Sequence, residues 1–461
     1  MYVIGAFMVP HPPMIVPDVG RGSESQIAET TAAYESVAEQ VAQLEPDTIV
    51  ITSPHSIMYS DYFHISPGKG AKGSFARFRA PHVRFDEKYD EEMVREICRL
   101  AEAEDFPAGT LGERDSSLDH GTMVPLWFIR NKYQGGRIIR IGLSGLPLED
   151  HYRLGMMIRD ASDKLGRRTV FIGSGDLSHK LQDYGPYGFA DEGPVYDERI
   201  MDVMGRAAFG ELFDFSENFC DKAAECGHRS FVIMAGALDG KAVRAERLSH
   251  QDVTGVGYGI CTFYPEGDDE KRHFLRDRLA GEEADLINAR LQSDEYVRLA
   301  RLAVESYVLR REKISIPDWV TEEMLTKRAG AFVSIHKHGN LRGCIGTIAP
   351  TADSVAQEII NNAISSSTRD RRFPPVRPDE LKWLEINVDV LGEPEDIESE
   401  GELDVRRYGV IVSCGRNRGL LLPDLDGVDT VEQQVQIAMQ KGGISKYDDY
   451  KLQRFEVIRH Y

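Results

Sequence analysis

Apolar positions along the first 265 residues fall into two alternating patterns. Short continuous runs at 2–9, 47–52, 137–143 and 169–172 predict strands buried on both faces. Between them, residues 24–44, 90–104 and 151–164 place apolar side chains at helical spacing, and further helical segments fall at 194–204 and around 231–238 before a closing strand at 256–263. Strands alternating with helices predict an α/β fold with a mainly parallel sheet flanked by helices. From 266 to 293 charge dominates, as in Gly267-Asp268-Asp269-Glu270-Lys271-Arg272, and this stretch reads as a partly helical linker. A second, smaller domain runs from 294 to 461. It has helices at 294–311, 352–365 and 431–442 and strands at 331–336, 384–391, 409–413 and 450–458, an α+β or mixed α/β arrangement.

Composition narrows the picture. A chain of 461 residues exceeds one ordinary core, so the two domains, 1–265 and 294–461, match the expected division. With 28% charged and 41% apolar residues and no run long enough to span a bilayer, the chain reads as a globular protein with no membrane partner. The N-terminus breaks at Pro10-His11-Pro12-Pro13 and lacks a basic leader, so the expected location is cytoplasmic. A formal net charge of −20 argues against nucleic acid as a partner. The six cysteines are scattered without paired spacing, which suggests reduced thiols, and none form the triplet that holds an iron–sulfur cluster.

Candidate chemistry gathers at strand ends. Strand 169–172 stops at Gly173-Ser174-Gly175 and delivers Asp176, Ser178 and His179 to the edge where open α/β sheets place ligands. His11 and His55 come just after two other strands, each beside a proline that fixes the local backbone. Two imidazoles and one anionic ligand make a cradle for non-haem Fe(II), and Glu225-Cys226 is the source of the third donor. Glu225 would favour Fe(II) and oxygen chemistry, while Cys226 would suit softer metals such as Zn or Cu; spacing does not choose between them. Asp119-His120 forms a further pair in a loop, in which Asp119 could orient the His120 ring, or simply cap a turn. In the second domain, Arg342 and Cys344 share a glycine-flanked turn, and Arg369, Asp370 and Arg372 gather guanidinium groups that suit a carboxylate or phosphate. A core thiol and a surface ion-pair cluster are the plain alternatives there.

The series Pro10-His11-Pro12, Ser53-Pro54-His55, Leu118-Asp119-His120-Gly121, Gly175-Asp176-Leu177-Ser178-His179 and Glu225-Cys226-Gly227 resembles the class III extradiol ring-cleavage dioxygenases and their relative Memo. The resemblance implies His11 and His55 as metal ligands, His179 as the acid/base and His120 as a substrate-contacting or supporting histidine. Glu225 fills the third position in the dioxygenases and a Cys-Gly segment fills it in Memo; this chain has both residues. The implied reaction inserts O2 into a small catechol-like or aminophenol-like aromatic on Fe(II); the alternatives are a Memo-like metal-binding scaffold without ring cleavage and a non-oxidative metal-dependent enzyme. Residues Leu341 to Gly346, Arg369 to Pro375 and Gly419 to Pro423 resemble the AMMECR-one family. The two together are similar to the AmmeMemoRadiSam system, which implies a separate radical-SAM protein as partner. The sequence leaves the assembly open, a homodimer included.

Overall fold

The computed structural model describes residues 2–425 and 427–461. The chain divides into two compact units, Met1–Arg278 and Leu279–Tyr461. The N-terminal unit is built on a six-stranded sheet in the order Arg137–Gly142, Thr48–Ser53, Thr169–Ser174, Val3–Val9, Tyr258–Asp268, Lys241–Gln251. The first four strands are parallel and the last two antiparallel. Runs such as Ile49-Val50-Ile51 are buried at every position because helices cover both faces. Helices Ala28–Leu44 and His120–Lys132 close one face, where Tyr34 stacks on Phe128 with ring centroids 4.2 Å apart. Leu148–Leu165 and His228–Gly236 pack together on the other. Each fully buried Val or Ile of these strands contributes roughly 1.5–3 kcal/mol. No helix among the described residues is long and apolar enough to cross a membrane.

Four features depart from the sequence reading. The Asp119-His120 pair, read as lying in a loop, instead starts helix His120–Lys132, with Asp119 as its N-cap accepting from Thr122 N–H. Strand Lys241–Gln251 closes the sheet edge, although its alternation of charged and half-buried positions lacks an apolar run. A polar hairpin, Gly70–Phe75 with Ala80–Lys88, also stands apart from the main sheet. The segment read as a linker, 266–293, holds the end of the Tyr258–Asp268 strand and all of helix Phe274–Gln292, and the unit boundary falls inside that helix.

The C-terminal unit is an antiparallel sheet in the order Asn340–Gly346, Ala331–Lys337, Leu384–Leu391, Lys451–His460, Tyr408–Cys414, Asn417–Leu421, with Glu395–Ile397 added beside Lys451–His460. Helices Glu295–Arg310 and Val355–Thr368 cover Ala331, Val333 and Ile335 in one apolar core, while Val431–Gly442 covers Val410 and Val412 in another. The Arg342–Cys344 segment lies within strand Asn340–Gly346 and not in a turn.

Candidate metal centre

Three adjacent parallel strands end side by side, and the residues just past each strand end build the site. Val9 pairs with Ser174 and Thr52 with Gly173, so His11, His55 and residues 174–179 leave the sheet at one edge. Beyond the last paired residues, Gly175 N–H donates to the Val9 carbonyl at 2.9 Å and His11 N–H to Asp176 Oδ1 at 2.7 Å. His11 is thereby fixed and buried, with 1% exposed.

His55 Nε2 lies 2.9 Å from His11 Nε2, and Cys226 Sγ lies 3.6 Å from that same atom. All three donor atoms fall within 4.8 Å of one another. The backbone makes this convergence feasible: a Cβ on Gly175 would stand 2.0 Å from Gly227 Cα, so a glycine at 175 lets the segment carrying Cys226 press against the strand end. Ser174 Oγ donates to the Gly121 carbonyl at 2.6 Å, leaving it to accept from His11 Nδ1 at 3.0 Å. That assignment puts the His11 proton on Nδ1 and turns the Nε2 lone pair toward His55 and Cys226. The chemistry of the donor set, two imidazole nitrogens and one sulfur around a shared point, fits a metal ion.

The electrostatics agree with that fit. Burial, then the neighbouring His55, lowers the His11 pKa well below the ordinary imidazole value; burial likewise lowers His55. Burial with His55 and His11 lowers His120 to about 4. These rings are neutral at pH 7, the form that donates a lone pair. Burial and the Asp176 carboxylate push the Cys226 thiol well up; a cation held among the three donors would reverse that balance.

His120 stacks on His55, with ring centroids 4.0 Å apart, and meets Phe78 of the hairpin at 5.4 Å. Asp119 does not orient it through a ring bond: its carboxylate accepts from Ser53 Oγ at 2.5 Å and from Thr122 N and Oγ1. Ser53 Oγ in turn accepts the His55 N–H at 3.2 Å, so Asp119 supports His55 through Ser53. His55 and His120 open on a cavity of about 880 Å3 whose wall includes Phe78, Phe85, Arg77 and Arg84.

On the other side of Cys226, a His179 ring nitrogen and an Asp176 oxygen both lie within 4.8 Å of Sγ. His179 Nδ1 is buried without a hydrogen-bond partner among the described residues, and Tyr187 meets the ring edge-on. Burial raises the Asp176 pKa. Ser178 serves the backbone, donating to the Ala223 carbonyl at 2.8 Å. Glu225 turns toward helix His228–Gly236, where Oε2 accepts from His228 N–H at 2.6 Å, and burial raises its pKa to about 7. Sequence reasoning missed Ser174, Ser53 and the hairpin side chains. Ser174 had a signal, its place in Gly173-Ser174-Gly175, but there it read only as a turn residue.

In the C-terminal unit, Asp370 accepts from the Cys344 N–H at 2.9 Å and forms a two-pronged pair with Arg372, which holds its carboxyl well below the usual range. Arg342 is separate from this group, bonded to Glu380 and the Pro374 carbonyl. Arg369 is exposed at the end of helix Val355–Thr368.

Comparison with known proteins matches residues 5–261 to the family described as the catalytic LigB subunit of aromatic ring-opening dioxygenase, and residues 297–460 to the AMMECR1 family. A protein of Clostridium acetobutylicum is 41% identical over 468 residues, covering 100% of this chain and 99% of its own length. A Thermotoga maritima protein is 50% identical over 167 residues, 36% of this chain and 96% of its own. Among solved structures, an uncharacterized protein of Pyrococcus horikoshii is 32% identical, with a TM-score of 0.34 over 36% of this chain and 88% of that one. The chain thus belongs, over its N-terminal part, to the family of the catalytic LigB subunit of aromatic ring-opening dioxygenase, joined to a C-terminal AMMECR1 domain.

Proposed function

We propose that the N-terminal unit is a metal-dependent oxidoreductase that holds Fe(II) on His11, His55 and Cys226 and opens a small catechol-like or aminophenol-like ring. The observation that carries this reading is the convergence of His11 Nε2, His55 Nε2 and Cys226 Sγ on one point in a family named for aromatic ring opening. Bound Fe(II) would supply open positions for two adjacent substrate heteroatoms and for O2. Phe78 and Phe85 offer apolar lining for the ring, and Arg77 and Arg84 favour an anionic substituent. His179, with a ring nitrogen within 4.8 Å of Cys226 Sγ and its Nδ1 unpartnered among the described residues, takes a proton from the substrate hydroxyl and returns it later.

Cys226 also favours a second reading. Where Cys226 and not Glu225 faces the histidines, Zn or Cu fits as well as iron, and the site then serves as a Memo-like metal centre without ring cleavage. A radical-SAM chain as working partner belongs to either reading and rests on the pairing of these two domain families. Anaerobic Fe(II) loading, then addition of a panel of carboxylated catechols and O2, separates the two. Oxygen uptake with a yellow ring-opened product supports the first; tight metal binding with neither supports the second.

A further inference from the structure

The C-terminal unit contains a cleft of about 730 Å3 whose chemistry the metal centre does not use. Its origin lies in strand alternation. On Ala331–Lys337, Ala331, Val333 and Ile335 are buried in the helical core, so Phe332, Ser334 and His336 face the other way. Register then sets their neighbours: Ser334 lies between Cys344 and Asn387, and Phe332 between Gly346 and Asp389. Arg418, Leu420, Leu422 and Lys441 complete the lining. One side of the sheet is thus a core; on the other, Phe332, Leu420 and Leu422 pack about a small cluster of Leu391, Ile411 and Phe455, and polar side chains beside them line the cleft.

Charge gives the cleft its preference. Four cationic side chains, Arg372, Arg418, Lys441 and Arg459, line it against two carboxylates, Asp389 and Asp424, in a chain of net charge −20. Asp389 is engaged by Arg459 at 2.8 Å, and Asp370, behind the wall, by Arg372. Among the described residues, Lys441 has no ion-pair partner, and Arg418 has only a 3.3 Å bond to the Gln453 amide. Cys344 lines the cleft with Lys441 and Arg372, and its Sγ accepts from Ser334 Oγ at 3.3 Å. Like charges facing one volume raise its potential until an anion occupies it. Phe332, Leu420 and Leu422 give the same volume an apolar side.

We propose that this cleft binds a small organic anion, its carboxylate or phosphate head between Arg372, Lys441 and Arg418 near Cys344, and its apolar or aromatic body on Phe332, Leu420 and Leu422. Both head groups share the chemistry of a planar or tetrahedral oxyanion, and the test separates them.

The test uses the full chain with benzoate, phenyl phosphate, inorganic phosphate and uncharged benzyl alcohol as probes. Binding is read by calorimetry and by the rate of Cys344 alkylation by iodoacetamide, mapped by peptide mass spectrometry with Cys98 as internal control. Benzoate or phenyl phosphate is expected to bind and to slow alkylation at Cys344 but not at Cys98; the tighter of the two identifies the head group. Lys441→Gln and Arg418→Gln, both at exposed positions, are expected to weaken that binding about tenfold each with unchanged melting temperature. Phe332→Ala is expected to weaken the aromatic anions and leave inorganic phosphate unaffected. Equal binding of benzyl alcohol, no anion protecting Cys344, or full protection in the Lys441→Gln/Arg418→Gln double variant would each overturn the proposal.

Discussion

Asp176 and Cys226 grip each other through reciprocal hydrogen bonds: the Asp176 N–H donates to Cys226 Sγ at 3.3 Å, and the Cys226 N–H donates to the Asp176 carbonyl at 3.3 Å. The sulfur is thus held at the strand end with a donor already aimed at it, which stabilises a thiolate once a cation is near. Glu225, one residue earlier, commits its carboxylate to the N-terminus of helix His228–Gly236. Cys226→Ala is therefore expected to lower metal affinity by about a hundredfold or more, and Glu225→Gln to change it by less than about threefold. Competition with a chromogenic chelator measures both; the reverse ranking would assign the ligand to Glu225.

Ser174 fixes the His11 tautomer by accepting from Nδ1. Ser174→Ala should leave the fold intact, weaken metal binding by roughly 10–100-fold, and cost about 1–3 kcal/mol because the Gly121 carbonyl loses its buried donor. Chelator competition and urea unfolding read the two effects separately. Unchanged metal affinity would mean that the His11 ring does not depend on this bond.

His179 tests the division between binding and proton transfer. His179→Ala is expected to retain metal stoichiometry and to lose about 10²–10⁴-fold in turnover of any catechol the native protein opens. Full turnover in this variant would remove His179 from the reaction.

The sequence patterns exposed some of these relationships and concealed others for physical reasons. Strands such as Thr48–Ser53 and Thr169–Ser174 were legible because both faces are buried and every position is apolar or small. Their common edge, and with it the neighbourhood of His11, His55 and His179, came from the expectation of a parallel sheet. Helix His120–Lys132 was not legible, since Gly121 and Pro125 are poor helix formers; burial of its first turns under the sheet outweighs their poor propensity. Gly343 misled in the same way. A Cβ there would stand 2.3 Å from the Ser366 carbonyl, so this glycine serves close packing of strand on helix, where the sequence suggested a turn. The choice between Glu225 and Cys226 was invisible because two adjacent residues share one spacing and differ only in direction.

Arg342 illustrates a structural role behind a motif residue. It pairs with the buried Glu380; burial raises that carboxyl, but Arg342, the Arg377 N–H and Lys337 together outweigh burial and bring its pKa to about 2. A folded pKa below the unfolded value contributes stability above the ordinary carboxylate range, about 4.5, that is lost as pH falls toward 2. Glu380→Gln should lower stability at neutral pH by on the order of 2–3 kcal/mol and flatten the loss between about pH 5 and 2. Urea unfolding of the full chain across that range measures it, and a parallel acid limb in the variant would show that this pair carries no such stability.

X-ray absorption at the iron K-edge of the Fe(II)-loaded protein tests the metal centre most directly. A coordination shell containing one sulfur and two imidazoles, with the sulfur lost in Cys226→Ala and retained in Glu225→Gln, is the predicted result. A shell of nitrogen and oxygen only, altered by Glu225→Gln and indifferent to Cys226→Ala, would contradict it.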